Sequence, residues 1–161
     1  MRIMGYSSEK DKIQSFIERK MIKKLMNDQK QYKIVSEGDL QSCVYFHLRR
    51  FFKSRNLDKW YVLNKLSMGK KEKSKKFPDI VIVYMEKKGK KSFPAFLIEL
   101  KETINFKEKT AKDAIKKLEK LIKKYKRNLY QAFLFYACRD RRGDMKVNLT
   151  NALMEEMISK K

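Results

Sequence analysis

Two nearly continuous apolar segments constrain this chain most: F-P-D-I-V-I-V-Y-M over Phe77–Met85 and P-A-F-L-I-E-L-K-E-T over Pro94–Thr103. Runs rich in branched and aromatic residues, apolar on both alternating positions, belong in a sheet buried on both faces. Helices must then cover that sheet. Ser8 can cap a first helix, in which Ile13, Phe16, Ile17, Met21 and Leu25 recur at helical spacing up to Asn27-Asp28. A second helix starts at Ser36, a candidate N-cap with Asp39 three residues later, and closes at Ser54-Arg55-Asn56. Its apolar face carries Leu40, Cys43, Val44, His47, Leu48 and Phe51. Trp60 to Met68 has strand composition, and Gly69 to Lys76 is a basic turn leading into the first apolar segment. A turn centred near Gly89 joins the two apolar segments. A helix over Phe106–Lys126, a strand over Tyr130–Cys138 and a last helix over Leu149–Ile158 complete the pattern.

Three strands joined by short turns form an antiparallel meander. A strand, a crossover helix and another strand lie parallel and right-handed. The fold class is therefore α/β, a mixed central sheet of about four strands flanked by helices. The 161 residues suit one domain, with an accessory N-terminal helix in residues 1–34 and a core over 36–138.

Charge narrows the partner. Lys and Arg number 41 against 19 Asp and Glu, a formal net charge of +22. Such an excess on one small domain calls for a polyanion, with nucleic acid first and an anionic membrane surface second. No apolar run approaches the roughly 20 residues of a spanning helix. Cys43 and Cys138 are the two cysteines, and there is one histidine, so neither a disulfide framework nor a structural zinc site can be assembled. The expectation is a soluble, intracellular (cytoplasmic) protein that does not enter membranes.

Asp79 and Glu99 interrupt the two most apolar strands. Each stands ten positions from Gly89, so folding the hairpin there sets them opposite one another, about 5 Å apart on one face. Lys101, two positions after Glu99, shares that face. Two carboxylates this close repel, and burial makes matters worse. A hard divalent cation such as Mg²⁺ resolves the conflict, and a neighbouring lysine can orient a water for phosphodiester hydrolysis. The plainer alternative is that Asp79 caps a strand start while Glu99 and Lys101 form an ion pair.

Pro78-Asp79, 19 intervening residues and then Glu99-Leu100-Lys101 resemble the PD-(D/E)XK nuclease superfamily, the restriction-endonuclease-like and Holliday junction resolvase-like enzymes. The order helix, three strands, helix, strand over Ser36–Cys138 is similar to that superfamily's core. The resemblance implies a Mg²⁺- or Mn²⁺-dependent endonuclease, with DNA as the preferred substrate. It implies that Asp79, Glu99 and the backbone carbonyl of Leu100 ligate the metal, while Lys101 positions the attacking water. The junction resolvases it resembles work as dimers, which leaves a homodimer open. An acidic residue on the first core helix is often added in this superfamily, and Glu37 fits that place. Glu37 could equally favour the helix dipole, and Asp39 reads better as a cap. The rival function is a catalytically inactive nucleic-acid-binding module with the same fold.

Other residues read more plainly. Lys70, Lys71, Lys73, Lys75 and Lys76 lead into the Asp79 strand and are candidates for phosphate contact. Lys87, Lys88, Lys90 and Lys91 read as a solvated turn. Gln41 reads as a solvated helix residue, His47 as a packed core histidine and Cys43 as a small core residue.

Overall fold

The fold is taken from a computed structural model, which describes residues 4–31, 33–34, 36–64, 78–87, 91–104, 108–125, 129–139 and 145–151. Helix α1 (Met4–Ser15) runs through a π-helical segment (Phe16–Met21) into α2 (Ile22–Lys30) without leaving helical backbone angles. The wider turn keeps Phe16, Ile17 and Met21 buried together. Ser8, expected as the cap, lies inside α1, because the helix already begins at Met4. The helix also continues past Asn27-Asp28, since the Asp28 side chain turns inward instead of capping. Gln31 and Lys33 close its end by donating their N–H groups to Asp28 O.

Helix α3 (Glu37–Ser54) starts as expected. Ser36 has an extended backbone, and its hydroxyl accepts the Asp39 N–H at 3.1 Å. At the other end Asn56 takes a left-handed φ of 53°. Asn56 N–H bonds Lys53 O, and Leu57 N–H bonds Phe52 O, a Schellman closure. Leu57 and Phe52 are both buried in the same cluster, which supplies the apolar contact that accompanies such a closure.

Among the described residues, five strands form one sheet in sequence order: β1 (Trp60–Asn64), β2 (Ile80–Lys87), β3 (Lys91–Ile104), β4 (Gln131–Arg139) and β5 (Met145–Asn151). The β1–β2 and β2–β3 pairs are antiparallel, and β3–β4 is parallel across helix α4 (Glu108–Tyr125). The α/β class and mixed sheet agree with the sequence. The start of the expected last helix does not: Met145–Asn151 form an antiparallel strand along β4, from Arg139↔Met145 to Phe133↔Asn151, and the rest of that expected helix lies outside the described residues. Unpaired backbone groups on β4 would otherwise form an open edge, a demand that local helix periodicity does not register.

Helices α1 to α3 cover one face of the sheet and α4 the other. The first layer buries Ile80, Ile82, Phe96, Ile98, Leu100 and Phe133 against the three N-terminal helices. The second packs Val81, Leu97 and Leu134 on Ala114, Leu118 and Leu121 of α4. The N-terminal helix is integral to this core, contributing Ile13, Phe16, Ile17, Met21 and Leu25. Two polar ties hold it as well. Trp60 Nε1 donates to Glu9 Oε2 at 2.6 Å, and the Tyr130 hydroxyl donates to Asp11 at 3.0 Å.

The β2–β3 hairpin carries two irregularities. Ile82 pairs with Phe96 but Val83 with Pro94, so Ala95 is extra on β3. Met85 pairs with Ser92 but Lys87 with Lys91, so Glu86 is extra on β2. The two offsets cancel, and the pairing resumes as Ile80↔Ile98. Ala95 is used elsewhere: its carbonyl accepts the Tyr130 N–H at 2.8 Å.

Candidate active site at the end of the central hairpin

The last cross-strand pair of the hairpin is Ile80↔Ile98, and the next residues outward are Asp79 and Glu99. Both are buried, Asp79 at 3% exposure and Glu99 at 0%. Pairing between the strands ends here, and the Asp79 side chain takes over from the backbone: its Oδ2 accepts the Leu100 N–H at 2.8 Å. The carbonyl of Asp79 accepts in turn from Gln41 Nε2 on α3, at 3.1 Å.

Glu99 lies on the α4 side of the sheet, two residues from Leu97. Its Oε1 accepts from Lys117 Nζ of α4 at 2.8 Å. Its Oε2 is buried with no hydrogen-bond partner. Burial pushes the Glu99 carboxyl up to about 7, the negative charge of the neighbouring Asp79 adds to the rise, and Lys117 pulls part of it back. The site therefore stands on four elements: α3, the start of β2, β3 and α4.

The residues expected to act together are only partly gathered. Asp79, Glu99 and Leu100 meet, although the contact made by Leu100 is its N–H to Asp79. The Leu100 side chain lies in the opposite core layer. Lys101 is half-buried on β3, two residues past Glu99. The ammonium that contacts Glu99 is Lys117, not Lys101. Glu37 opens α3, and among the described residues no group of three His, Cys, Asp or Glu side chains that could hold a metal includes it. Its position in the first turn instead suits the helix dipole. Gln41, one turn further along, is the α3 side chain that reaches Asp79, where a solvated role was expected. Lys70, Lys71, Lys73, Lys75 and Lys76 lie outside the described residues.

Lys117 and Gln41 both carried a signal. Ala114, Leu118 and Leu121 define the buried stripe of α4, and Lys117 lies within it, one turn from Ala114 and Leu121. Gln41 follows directly on the buried Leu40. His47 is packed as expected, with the added feature that its Nε2 contacts the buried Asp28 Oδ2 at 2.5 Å. Burial and Asp28 together push the Cys43 thiol up to about 11, which makes it a poor nucleophile.

The acidic pair presents oxygen donors of the kind a hard divalent cation takes. A buried carboxylate oxygen without a partner, beside a second carboxylate, is a hard anionic donor set with charge left to satisfy. No helix among the described residues is long and apolar enough to cross a membrane. No family model matches the chain, and no match is found among curated proteins or solved structures.

Proposed function

We propose that this chain is a Mg²⁺- or Mn²⁺-dependent nuclease of the PD-(D/E)XK type that hydrolyses phosphodiester bonds, with DNA as its preferred substrate. The observation that carries the reading is the buried Asp79–Glu99 pair at the end of the central hairpin, with Glu99 Oε2 unsatisfied. Asp79 and Glu99 would hold the cation, with the Leu100 carbonyl as a further oxygen donor. A cation held there supplies Lewis-acid polarisation of the scissile phosphate and neutralises its growing charge.

The protein groups divide the remaining work. Leu100 N–H fixes one oxygen of Asp79, and Gln41 anchors the Asp79 backbone, so the carboxylate is oriented before anything binds. Lys117 occupies one oxygen of Glu99 and leaves the other for the cation. Lys101, on the same face by strand alternation, positions the attacking water. The net charge of +22 draws the polyanionic substrate to the site.

The ion pair between Glu99 and Lys117 favours a second reading. If Glu99 serves only as the buried partner of Lys117, the chain is a nucleic-acid-binding module that keeps the fold without the chemistry. Incubation with linear, single-stranded, supercoiled and four-way-junction DNA, with Mg²⁺ or with EDTA, separates the two. Cleavage that requires the metal and disappears in Glu99→Gln supports the nuclease. Binding without cleavage of any substrate supports the module.

A further inference from the structure

The side of the molecule away from α4 holds a basic groove. It runs between the α1–α2 rod and the C-terminal half of α3. Two adjoining hollows, of about 370 and 210 Å³, share Phe16, Lys20, Phe51 and Arg55 in their walls. Lys12 lines one, and Lys24 and Arg50 line the other. All five cationic side chains are exposed. Among the described residues none of them pairs with a carboxylate. The one acid in the walls, Asp11, is engaged by the Tyr130 hydroxyl.

Unpaired cations facing each other across a groove repel, so the arrangement costs free energy until an anion lies between them. Lys12 and Lys24 stand about 18 Å apart along the helical rod, the axial rise of about five nucleotides in one strand of a duplex. A single phosphate would not engage all five cations, whereas a polymer of phosphates would. Between the cations the floor is apolar. Phe16 and Phe51 stack with ring centroids 4.1 Å apart and planes 7° from parallel. Phe16 is buried and Phe51 half-buried, so the floor shows little ring surface to a base, and the groove suits sugar and phosphate rather than base edges. It lies apart from the hairpin site. Gln41 contacts Asp79, and Arg50 lies nine residues further along the same helix, about 13 Å away.

We propose that this groove binds the phosphodiester backbone of a nucleic acid, independently of its sequence. The proposal stands apart from the nuclease reading; binding in the groove does not require cleavage. Phosphate neutralisation releases condensed counterions, so the groove sets much of the salt dependence of binding.

The test compares two quadruple variants that lose the same charge. One replaces Lys20, Lys24, Arg50 and Arg55 with Gln. The other replaces the exposed Lys109, Lys116, Lys120 and Lys123 of α4 on the far side of the sheet. Binding to labelled duplexes of two unrelated sequences is measured in EDTA across a salt series, so that cleavage plays no part. The groove variant should bind both duplexes at least tenfold more weakly at about 100 mM salt, and its slope of log K against log salt should be shallower by about three to four. The α4 variant should retain most of the affinity and slope. Equal losses in both variants would assign binding to diffuse charge and overturn the proposal. So would an unchanged slope in the groove variant, or a loss on one duplex sequence only. Sedimentation with anionic vesicles forms the last arm: vesicle binding that depends on the groove while duplex binding does not would make the groove a lipid surface and overturn the proposal. Wild-type protein that binds through the groove yet never cuts with Mg²⁺ leaves this inference standing and removes the nuclease reading.

Discussion

Asp79 Oδ2 and the backbone N–H of Leu100 lie 2.8 Å apart, so a carboxylate from one strand of the central hairpin completes the hydrogen bonding of the other. A proposed metal ligand is thus also a structural acceptor, and two substitutions separate the roles. Asp79→Asn keeps an oxygen for the N–H, whereas Asp79→Ala leaves a buried donor unpaired, at a cost of about 1–3 kcal/mol. Urea denaturation without metal should show the Ala variant weakened and the Asn variant close to wild type. Both should lose metal-dependent cleavage. Cleavage by Asp79→Asn at the wild-type rate would remove Asp79 from the chemistry.

Glu99 makes stability depend on pH. Its carboxyl titrates near 4.5 when solvated and near 7 when buried beside Asp79. Between those values the native state holds a proton that the unfolded chain has released, so stability falls as pH rises through this window. The loss from this group is on the order of 3 kcal/mol by pH 8, before metal is added. Glu99→Gln should be more stable than wild type at pH 8 and close to it at pH 4. Mg²⁺ should raise the thermal midpoint of wild type at pH 8 and leave Glu99→Gln unchanged. A variant that is less stable than wild type at pH 8 would contradict the account.

Lys117 and Lys101 should be separable. Lys117 holds the Glu99 carboxylate, so Lys117→Met should push the Glu99 carboxyl higher still and move the acid limb of the pH–rate profile for cleavage toward alkaline pH. Activity should recover in part at pH 9. Lys101→Met should lower the rate across the whole profile without moving that limb. Identical profiles in the two variants would show that Lys117 does not act through Glu99.

Asn56 tests the end of α3. Its left-handed backbone suits Gly and Asn and costs most other residues about 1–2 kcal/mol. Asn56→Gly should match or slightly exceed wild-type stability in thermal melts, and Asn56→Val should fall below it. No difference between the two would mean that the Schellman closure contributes little.

The hairpin was legible in the sequence because mirror counting about Gly89 predicted Asp79 opposite Glu99. The prediction holds only because the extra residues Glu86 and Ala95 cancel, which the count could not reveal. The boundaries of α3 were legible in Ser36 and in Ser54-Arg55-Asn56, since caps are local chemistry. Partnership across elements was not. Lys117 to Glu99 and His47 to Asp28 depend on how helices settle against a sheet or another helix, and periodicity names the face but not the neighbour. Strand β5 was missed because its stabilisation lies in pairing with the edge of β4 rather than in its own pattern.

The ties at Glu9 and Asp11 bear on how the chain comes to be folded. Their partners, Trp60 and Tyr130, follow them by 51 and 119 residues. As the chain is made, the α1–α2 rod emerges well before the β3–β4 surface it must cover. During that interval Ile13, Ile17, Met21 and Leu25, all fully buried at the end, have only part of their final partner. Long-range closure of this kind is slow and leaves apolar surface open to other chains. The lysines that alternate with those residues on the same rod carry like charge, which disfavours contact between copies of the incompletely folded chain.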